Sequence, residues 1–197
     1  MKKILIATSN PGKRNELLSA LLPLDGYEII IPEDLELEVE ESGNTYAENA
    51  LIKARAFFEN SGLPTIAEDS GIEVRALQDE LGVFTRRWGA GEAAGDQEWL
   101  EYFMSRMARE EDKSARFVSH VVYLDENGHV AFEGECLGNI TSDIEGPVKP
   151  GIPLSAVFLP LGESLVYSAM DEEQKNSLSH RGKAVKELRQ WLLREGP

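Results

Sequence analysis

Cysteine is almost missing from this chain: Cys136 stands alone among 197 residues. An internal disulfide is therefore impossible, and a thiolate metal site cannot be assembled within one chain. Cys136 falls in a strand-like run and reads as a small packing residue. Positive charge is scarce too. Lys and Arg number 20 against 35 Asp and Glu, for a formal net charge of -15. A non-specific DNA or RNA binder needs a basic face, so this balance argues against one. It leaves room for a small anionic substrate, because screening confines the overall field to about 8 Å at physiological salt. Long apolar runs are missing as well. The start, "MKKILIATSN", places two lysines before a very short apolar stretch, which fits neither a signal peptide nor a membrane span. The expectation is a cytoplasmic protein without a membrane or nucleic-acid polymer as partner. Internal repeats and low-complexity tracts are also absent.

What is present is enough apolar material for a real core: 42% of residues are hydrophobic, too many for a disordered chain. The length fits one domain, 1–197, or one domain in two lobes. "KILIAT" reads as a buried strand, and "SNPGKRNELLSALL" as a capped helix with Pro11 in its first turn. A second apolar run covers Tyr27 to Ile31. Leu35, Leu37 and Val39 alternate in an acidic, extended stretch, and Thr45 to Asn60 has helical spacing. "PTIAEDSGIEVRAL" reads as strand, turn, strand, since Asp, Ser and Gly are common turn residues. A helix is expected over Asp96 to Arg109, and an antiparallel pair around "ENG". A Pro- and Gly-rich loop follows, then a helix from about Ser179 to Arg194. This order indicates an α/β fold with a long central sheet flanked by helices on both sides.

Three groups of residues can carry chemistry. "TSNPGK" brings hydroxyls, an amide, backbone N–H groups and Lys13 to a strand-to-helix junction, a natural anion site. The Walker spacing is absent, and a plain helix cap with an exposed lysine is the simpler alternative. In "EESGNTYAENALIKA", Asn49 and Lys53 share one helix face. Lys53 either pairs with Glu48 or reaches into a cleft toward a phosphate. In the second case Glu41 can join Asp69 as a carboxylate pair for Mg²⁺, which is commonly held by one or two carboxylates with phosphates and waters. In "KNSLSHRGKA", Ser179 can cap the last helix, while His180 and Arg181 place cations where the helix dipole opposes them. Helix stability does not explain that choice; exposed solubilising residues and hydrogen bonding to a ligand are the two alternatives. His120 and His129 are read as structural or solvated.

Four motifs in order, "ATSNPGKRNEL", "NTYAENALIKA", "AEDSGIEVRAL" and "KNSLSHRGKA", resemble the inosine triphosphate pyrophosphatase family of noncanonical purine nucleoside triphosphate pyrophosphatases. "GVFTRRWGAG" and "ARFVSHVVYL" are similar to two further segments of it, so the resemblance spans nearly the whole chain. It implies an elongated, two-lobed α/β fold with a long mixed sheet and an active site in the cleft between lobes. It also implies a cytoplasmic homodimer that uses Mg²⁺ to hydrolyse a nucleoside triphosphate, such as ITP, dITP or XTP, to the monophosphate and pyrophosphate. By resemblance, Asp69 is the catalytic carboxylate and a metal ligand, and Glu41 the metal-binding glutamate. Ser9, Asn10, Lys13 and Lys53 match phosphate-holding positions. Ser70 and Gly71 shape a turn, and Ser70 touches substrate. Ser179, His180 and Arg181 match a base-reading Ser-His-Arg.

One segment departs from the family. Its usual G-F-G-Y-D-P-x-F reads "GIPLSAVF" here, Gly151 to Phe158. Ile152 replaces a ring that stacks on the base, and Ser155 replaces an aspartate that helps recognise it. A stacking ring is worth about 1–3 kcal/mol per base, so the expectation is an altered or relaxed base preference unless Trp88 or Phe158 fills the vacancy. A nucleotide sensor without turnover and a pyrophosphatase for modified pyrimidine nucleotides are the alternatives.

Overall fold

The first strand, β1 (Lys2–Ala7), is buried from Ile4 to Ala7 and runs into helix α1 (Pro11–Leu21). Asn10 caps α1: its side chain accepts the N–H of Lys13 at 3.0 Å, with Pro11 in the first turn. The chain returns as β2 (Tyr27–Ile30) and continues to α2 (Tyr46–Ser61). A capping box fixes the start of α2. Thr45 Oγ1 accepts the Glu48 N–H, and Glu48 Oε2 accepts the Thr45 N–H, each at 3.1 Å. Gly62, at φ +67°, supplies the left-handed residue that ends it. The remaining elements are β3 (Thr65–Val74), α3 (Asp96–Met107), β4 (Ser114–Asp125), β5 (Gly128–Ile140), β6 (Phe158–Pro160), α4 (Glu172–Leu178) and α5 (His180–Glu195). This computed structural model describes residues 1–32, 37–78, 80–85, 88–91 and 93–197. Leu35 of the extended acidic stretch, and Arg86 and Arg87 of "GVFTRRWGAG", lie outside the described residues.

The strands form one mixed sheet in the order β2-β1-β3-β4-β5-β6. β1 pairs in parallel with β2 and β3; every later pairing is antiparallel. Helices α1 and α2 are the crossovers that parallel neighbours require. The α/β architecture with helices on both faces therefore stands as expected. On one face α1 and α5 cover Ile4, Ile6, Ile66 and Val121; on the other α2 covers Leu5, Ala7, Ala67 and Val122. Leu37 and Val39 pack onto this second cluster. A third cluster, farther along β3, gathers Ile72, Val74, Trp99, Phe103, Phe158 and Cys136, so Cys136 is a packing residue.

One expectation fails. "PTIAEDSGIEVRAL" contains no turn at Ser70-Gly71, because β3 pairs continuously with β4, from Thr65 opposite Leu124 to Val74 opposite Ala115. Glycine is needed at 71 for another reason. A Cβ there would lie 2.6 Å from the Tyr46 hydroxyl and 2.7 Å from the Gly82 carbonyl oxygen. Helix α4 was not foreseen, and it is short enough that its two turns leave little periodic signal.

Helix α5 rests directly on β5 at Gly134. A Cβ at this position would come within 2.0 Å of the His180 carbonyl oxygen and 2.8 Å of the Ala184 nitrogen. Gly134→Ala must push the first turn of α5 off the sheet. It is expected to lower the unfolding free energy by about 1–3 kcal/mol, the usual cost of overpacking, read as a lower urea midpoint at unchanged slope.

Candidate active site

β3 outlasts its parallel neighbour. β1 pairs with β3 only as far as Ala7 opposite Ala67. Beyond that point, among the described residues, one edge of β3 has no strand beside it, and backbone carbonyls there need other donors. Two lysines provide them: Lys53 Nζ donates to the Glu68 carbonyl at 3.1 Å, and Lys13 Nζ to the Ser70 carbonyl at 3.5 Å. The side chains of this segment alternate across the sheet. Asp69 shares the α2 face with Ala67, while Glu68 and Ser70 share the α5 face with Ile66. A cleft of about 1440 Å³ opens here, and its lining includes Ser9, Asn10, Lys13, Glu41, Lys53, Asp69, Ser70, His180 and Arg181.

The cleft floor is a chain of alternating charges. Lys53 Nζ lies 2.8 Å from Glu41 Oε1. Lys13 Nζ lies 3.8 Å from Asp69 Oδ1 and 3.5 Å from Glu68 Oε2. Glu68 Oε1 accepts from Arg181 Nη2 at 2.9 Å, Arg181 Nε at 3.1 Å and the Ser119 hydroxyl at 2.9 Å. Arg181 also donates to the Ser70 hydroxyl at 2.9 Å and to Glu16, whose other oxygen receives Lys175. The alternative pairing of Lys53 with Glu48 does not form, because Glu48 is occupied by the cap of α2.

Environment separates the carboxylates. Burial raises the Asp69 pKa, and Glu41 and Glu68 add to this; Lys13 and Lys53 only partly offset it. Burial would also raise Glu68, but Arg181, Lys13 and a hydrogen bond from Ser70 outweigh it and hold Glu68 well below the ordinary carboxylate range. Glu16 is likewise lowered, as Arg181 and Lys175 overcome its burial. His180 is fully buried and therefore pushed well below 6.5, with Arg181 reinforcing the shift. Its ring stacks on Phe117 at 4.7 Å and Tyr167 at 5.9 Å between centroids, and its Nδ1 is buried without a hydrogen-bond partner among the described residues.

Nine of the ten expected site residues meet in this cleft. Ser179 does not line it: its hydroxyl accepts the Gly182 N–H at 3.0 Å and caps α5. Both functional atoms of the Asn10 amide are engaged, Oδ1 by the Lys13 N–H and Nδ2 by the Gly151 carbonyl at 2.9 Å. The 151–155 segment also lines the cleft, with Trp99, Phe117 and Tyr167. Neither ring proposed for the vacancy fills it. Trp88 packs on Trp99, Tyr102 and Phe103, and Phe158 is fully buried against Phe117. His120, opposite Asp69 on β4, stacks on Tyr46 at 6.3 Å; His129 is exposed. Sequence reasoning passed over Glu16, Glu68 and Lys175. The usable signal was Glu68 itself, a charge inside an apolar strand that needs a buried partner.

A carboxylate pair, Glu41 and Asp69, beside two ammonium groups suits a polyphosphate and a hard divalent cation. Among the described residues no group of three or more His, Cys, Asp or Glu side chains is arranged to hold a metal. Two carboxylates completed by phosphate and water match Mg²⁺ chemistry. No described helix is long and apolar enough to cross a membrane.

The sequence model of the Ham1 family matches residues 4–191. A relative in Leptospira interrogans, a dITP/XTP pyrophosphatase, is 35% identical over 193 residues, covering 97% of each chain. The HAM1 protein of Coxiella burnetii superposes with a TM-score of 0.84 at 31% identity, covering 100% of both chains. The Ham1 protein of Staphylococcus aureus gives 0.83 at 30%, covering 99% of this chain and 100% of that one.

Two measurements test the electrostatics. Glu68→Gln leaves Arg181 short of a counter-charge in a buried site and should cost about 3–5 kcal/mol of stability. Glu16, Glu68 and His180 have depressed folded pKa values, so their contributions hold above their ordinary ranges and are lost in acid. Asp69 is raised and acts in the opposite sense, stabilising in acid and losing that contribution as pH rises through its folded value. Between pH 7 and 5 His180 dominates, because the unfolded ring takes a proton that the folded one refuses. Unfolding free energy should fall by up to ~1.4 kcal/mol per pH unit from this group. His180→Asn should flatten the slope of urea stability against pH.

Proposed function

The chain belongs to the Ham1 family, and from that premise we propose that it hydrolyses a noncanonical purine nucleoside triphosphate, of the dITP or XTP kind, to the monophosphate and pyrophosphate. The observation that carries this reading is the convergence of Lys13, Lys53, Asp69 and Glu41 at the open edge of β3. A phosphate chain is what two partly buried ammonium groups and a carboxylate pair can jointly accommodate. Glu41 and Asp69 would hold Mg²⁺, which when bound neutralises phosphate oxygens and polarises the phosphorus under attack.

The chain's own residues do the rest. Lys13 and Lys53 are already aimed at the cleft by their bonds to the Ser70 and Glu68 carbonyls, so little reorganisation accompanies phosphate binding. Asp69, raised by burial, is a better proton acceptor than an exposed aspartate and sits where it can orient a water for in-line attack. The proton leaves water for an Asp69 oxygen as the new P–O bond forms, and the bond to the bridging oxygen of the leaving pyrophosphate breaks. Arg181 is fixed by Glu68, Glu16 and Ser70, and it holds the first turn of α5 against the cleft with His180. Retention of both carboxylates and both lysines favours turnover over a sensor role. A cytoplasmic homodimer goes with this reading as the family resemblance implies, and light scattering on the purified protein measures the second part.

At the base end, Ile152 lies against Gly12, and the Ser155 hydroxyl donates to the Ile152 carbonyl at 2.7 Å. An aliphatic chain has no π face, and a hydroxyl used within its own turn reports no hydrogen-bonding edge. Discrimination for inosine and xanthosine over adenosine and guanosine triphosphates should therefore be weak. A panel of kcat/KM values decides this, and strong inosine selectivity would sink it.

Asp69→Asn keeps shape but removes the proton acceptor. Turnover should drop at least 100-fold, the lower bound of a general-base contribution, with a urea midpoint no lower than that of the wild type. Phosphorus NMR of the wild-type reaction should show pyrophosphate as the first product; orthophosphate first would exclude the reaction class. Lys53→Ala should weaken triphosphate binding more than monophosphate binding.

A further inference from the structure

Gly151 is held from two directions. Lys149, Pro150, Gly151 and Ile152 form a turn closed by the Ile152 N–H on the Lys149 carbonyl at 3.1 Å, with Gly151 at φ +76°. Proline second and a left-handed glycine third are what a type II turn requires. Outside the turn, the Gly151 N–H donates to Asp96 Oδ2 at 2.6 Å, and its carbonyl accepts from Asn10 Nδ2 at 2.9 Å. Asp96 is the first residue of α3, the helix that carries Trp99 to the cleft. Asn10 is the cap of α1, beside Lys13. The segment that walls the base end is thus strung between the phosphate end and α3 through one residue.

We propose that Asp96 is a positioning residue for the nucleotide base: by holding Gly151 it sets the placement of Ile152–Ser155 in the cleft. The proposal rests on the nucleotide reading above for its ligand. Three features localise the effect. The Asn10 side-chain oxygen caps α1 independently of Gly151, so the phosphate end keeps its geometry without Asp96. The turn keeps its own hydrogen bond. Helix α3 stays anchored by Trp99, Leu100, Phe103 and Met107 in the core. What is lost is the charge-assisted bond that fixes the turn against α3, and with it the register of the base-side wall.

Three measurements on Asp96→Ala, Asp96→Asn and the wild type test this. In ligand-free protein, amide exchange at Gly151 should quicken about tenfold in Asp96→Ala and stay near wild type in Asp96→Asn, which keeps an acceptor oxygen. By calorimetry, the Kd for dIMP should rise about tenfold in Asp96→Ala while that for inorganic pyrophosphate stays within about twofold. With dITP, KM should rise and kcat hold. Unchanged Gly151 exchange, an equal loss for both probes, or a kcat loss at constant KM overturns the proposal. Wild-type protein that binds dIMP but releases no pyrophosphate from dITP overturns the enzymatic reading alone, and the exchange and dIMP arms still decide the role of Asp96.

Discussion

The structure turns on a difference in length between two parallel strands. β1 ends its pairing at Ala67, and β3 continues for seven more residues with only β4 beside it. Had β1 been longer, the carbonyls of Glu68 and Ser70 would be paired within the sheet, and nothing would draw Lys13 and Lys53 inward. Because it is short, the unpaired edge collects two ammonium groups. Strand alternation then places Asp69 on one face and Glu68 on the other. The opening is polar because the backbone there must be satisfied, and it is a cleft because the sheet has lost a strand.

Once cations are fixed in that opening, the carboxylates divide the work. Glu68 lies on the closed side, where Arg181, Lys13 and Ser119 satisfy it and hold it ionised. A buried carboxylate with that many partners anchors the first turn of α5. Asp69 lies on the cleft side with weaker compensation, and its pKa moves the other way. Two neighbours in sequence thus have opposite electrostatics, which is how one site can contain both a structural anion and a proton acceptor. The net charge of -15 has little bearing on this. The site is built from alternating pairs at 2.8–3.8 Å, inside the range where local charges outweigh a screened field.

Much of this was legible in the sequence where local rules agree. Helical spacing over Thr45 to Asn60 marked α2, and "ENG" marked the β4–β5 turn. The helix expected from about Ser179 to Arg194 is α5. The Asp-Ser-Gly stretch misled for an identifiable reason. Its composition favours a turn, but pairing with β4 along the whole strand outweighs that local preference. Glycine at 71 was serving the Tyr46 hydroxyl and not a bend. The cation-bearing first turn of α5 was correctly read as unexplained by helix stability, yet its partners Glu16 and Glu68 lie 165 and 113 positions away. Nothing in a local window reports such pairs. The second bond of Asn10, to Gly151, is out of a local window's reach in the same way, since it spans 141 positions.

That last contact changes how the two ends of the cleft relate. The first turn of α1 does more than carry Lys13 to the cleft. A Cβ on Gly12 would lie 2.4 Å from the Pro150 carbonyl oxygen and 2.9 Å from Ile152 Cγ1, so the helix backbone itself is a wall for the base-side turn. Asn10 adds a hydrogen bond across the same contact. Ile152 is therefore placed by α1, and a larger side chain has no room to lie on Gly12 as the isoleucine does. A bulky ring at 152 would have to point away from Gly12 and into the cleft, which is where a stacking residue would act; an isoleucine can instead lie flat on the glycine. The divergent segment and the first turn of α1 thus pack as one unit through Gly12 and Asn10.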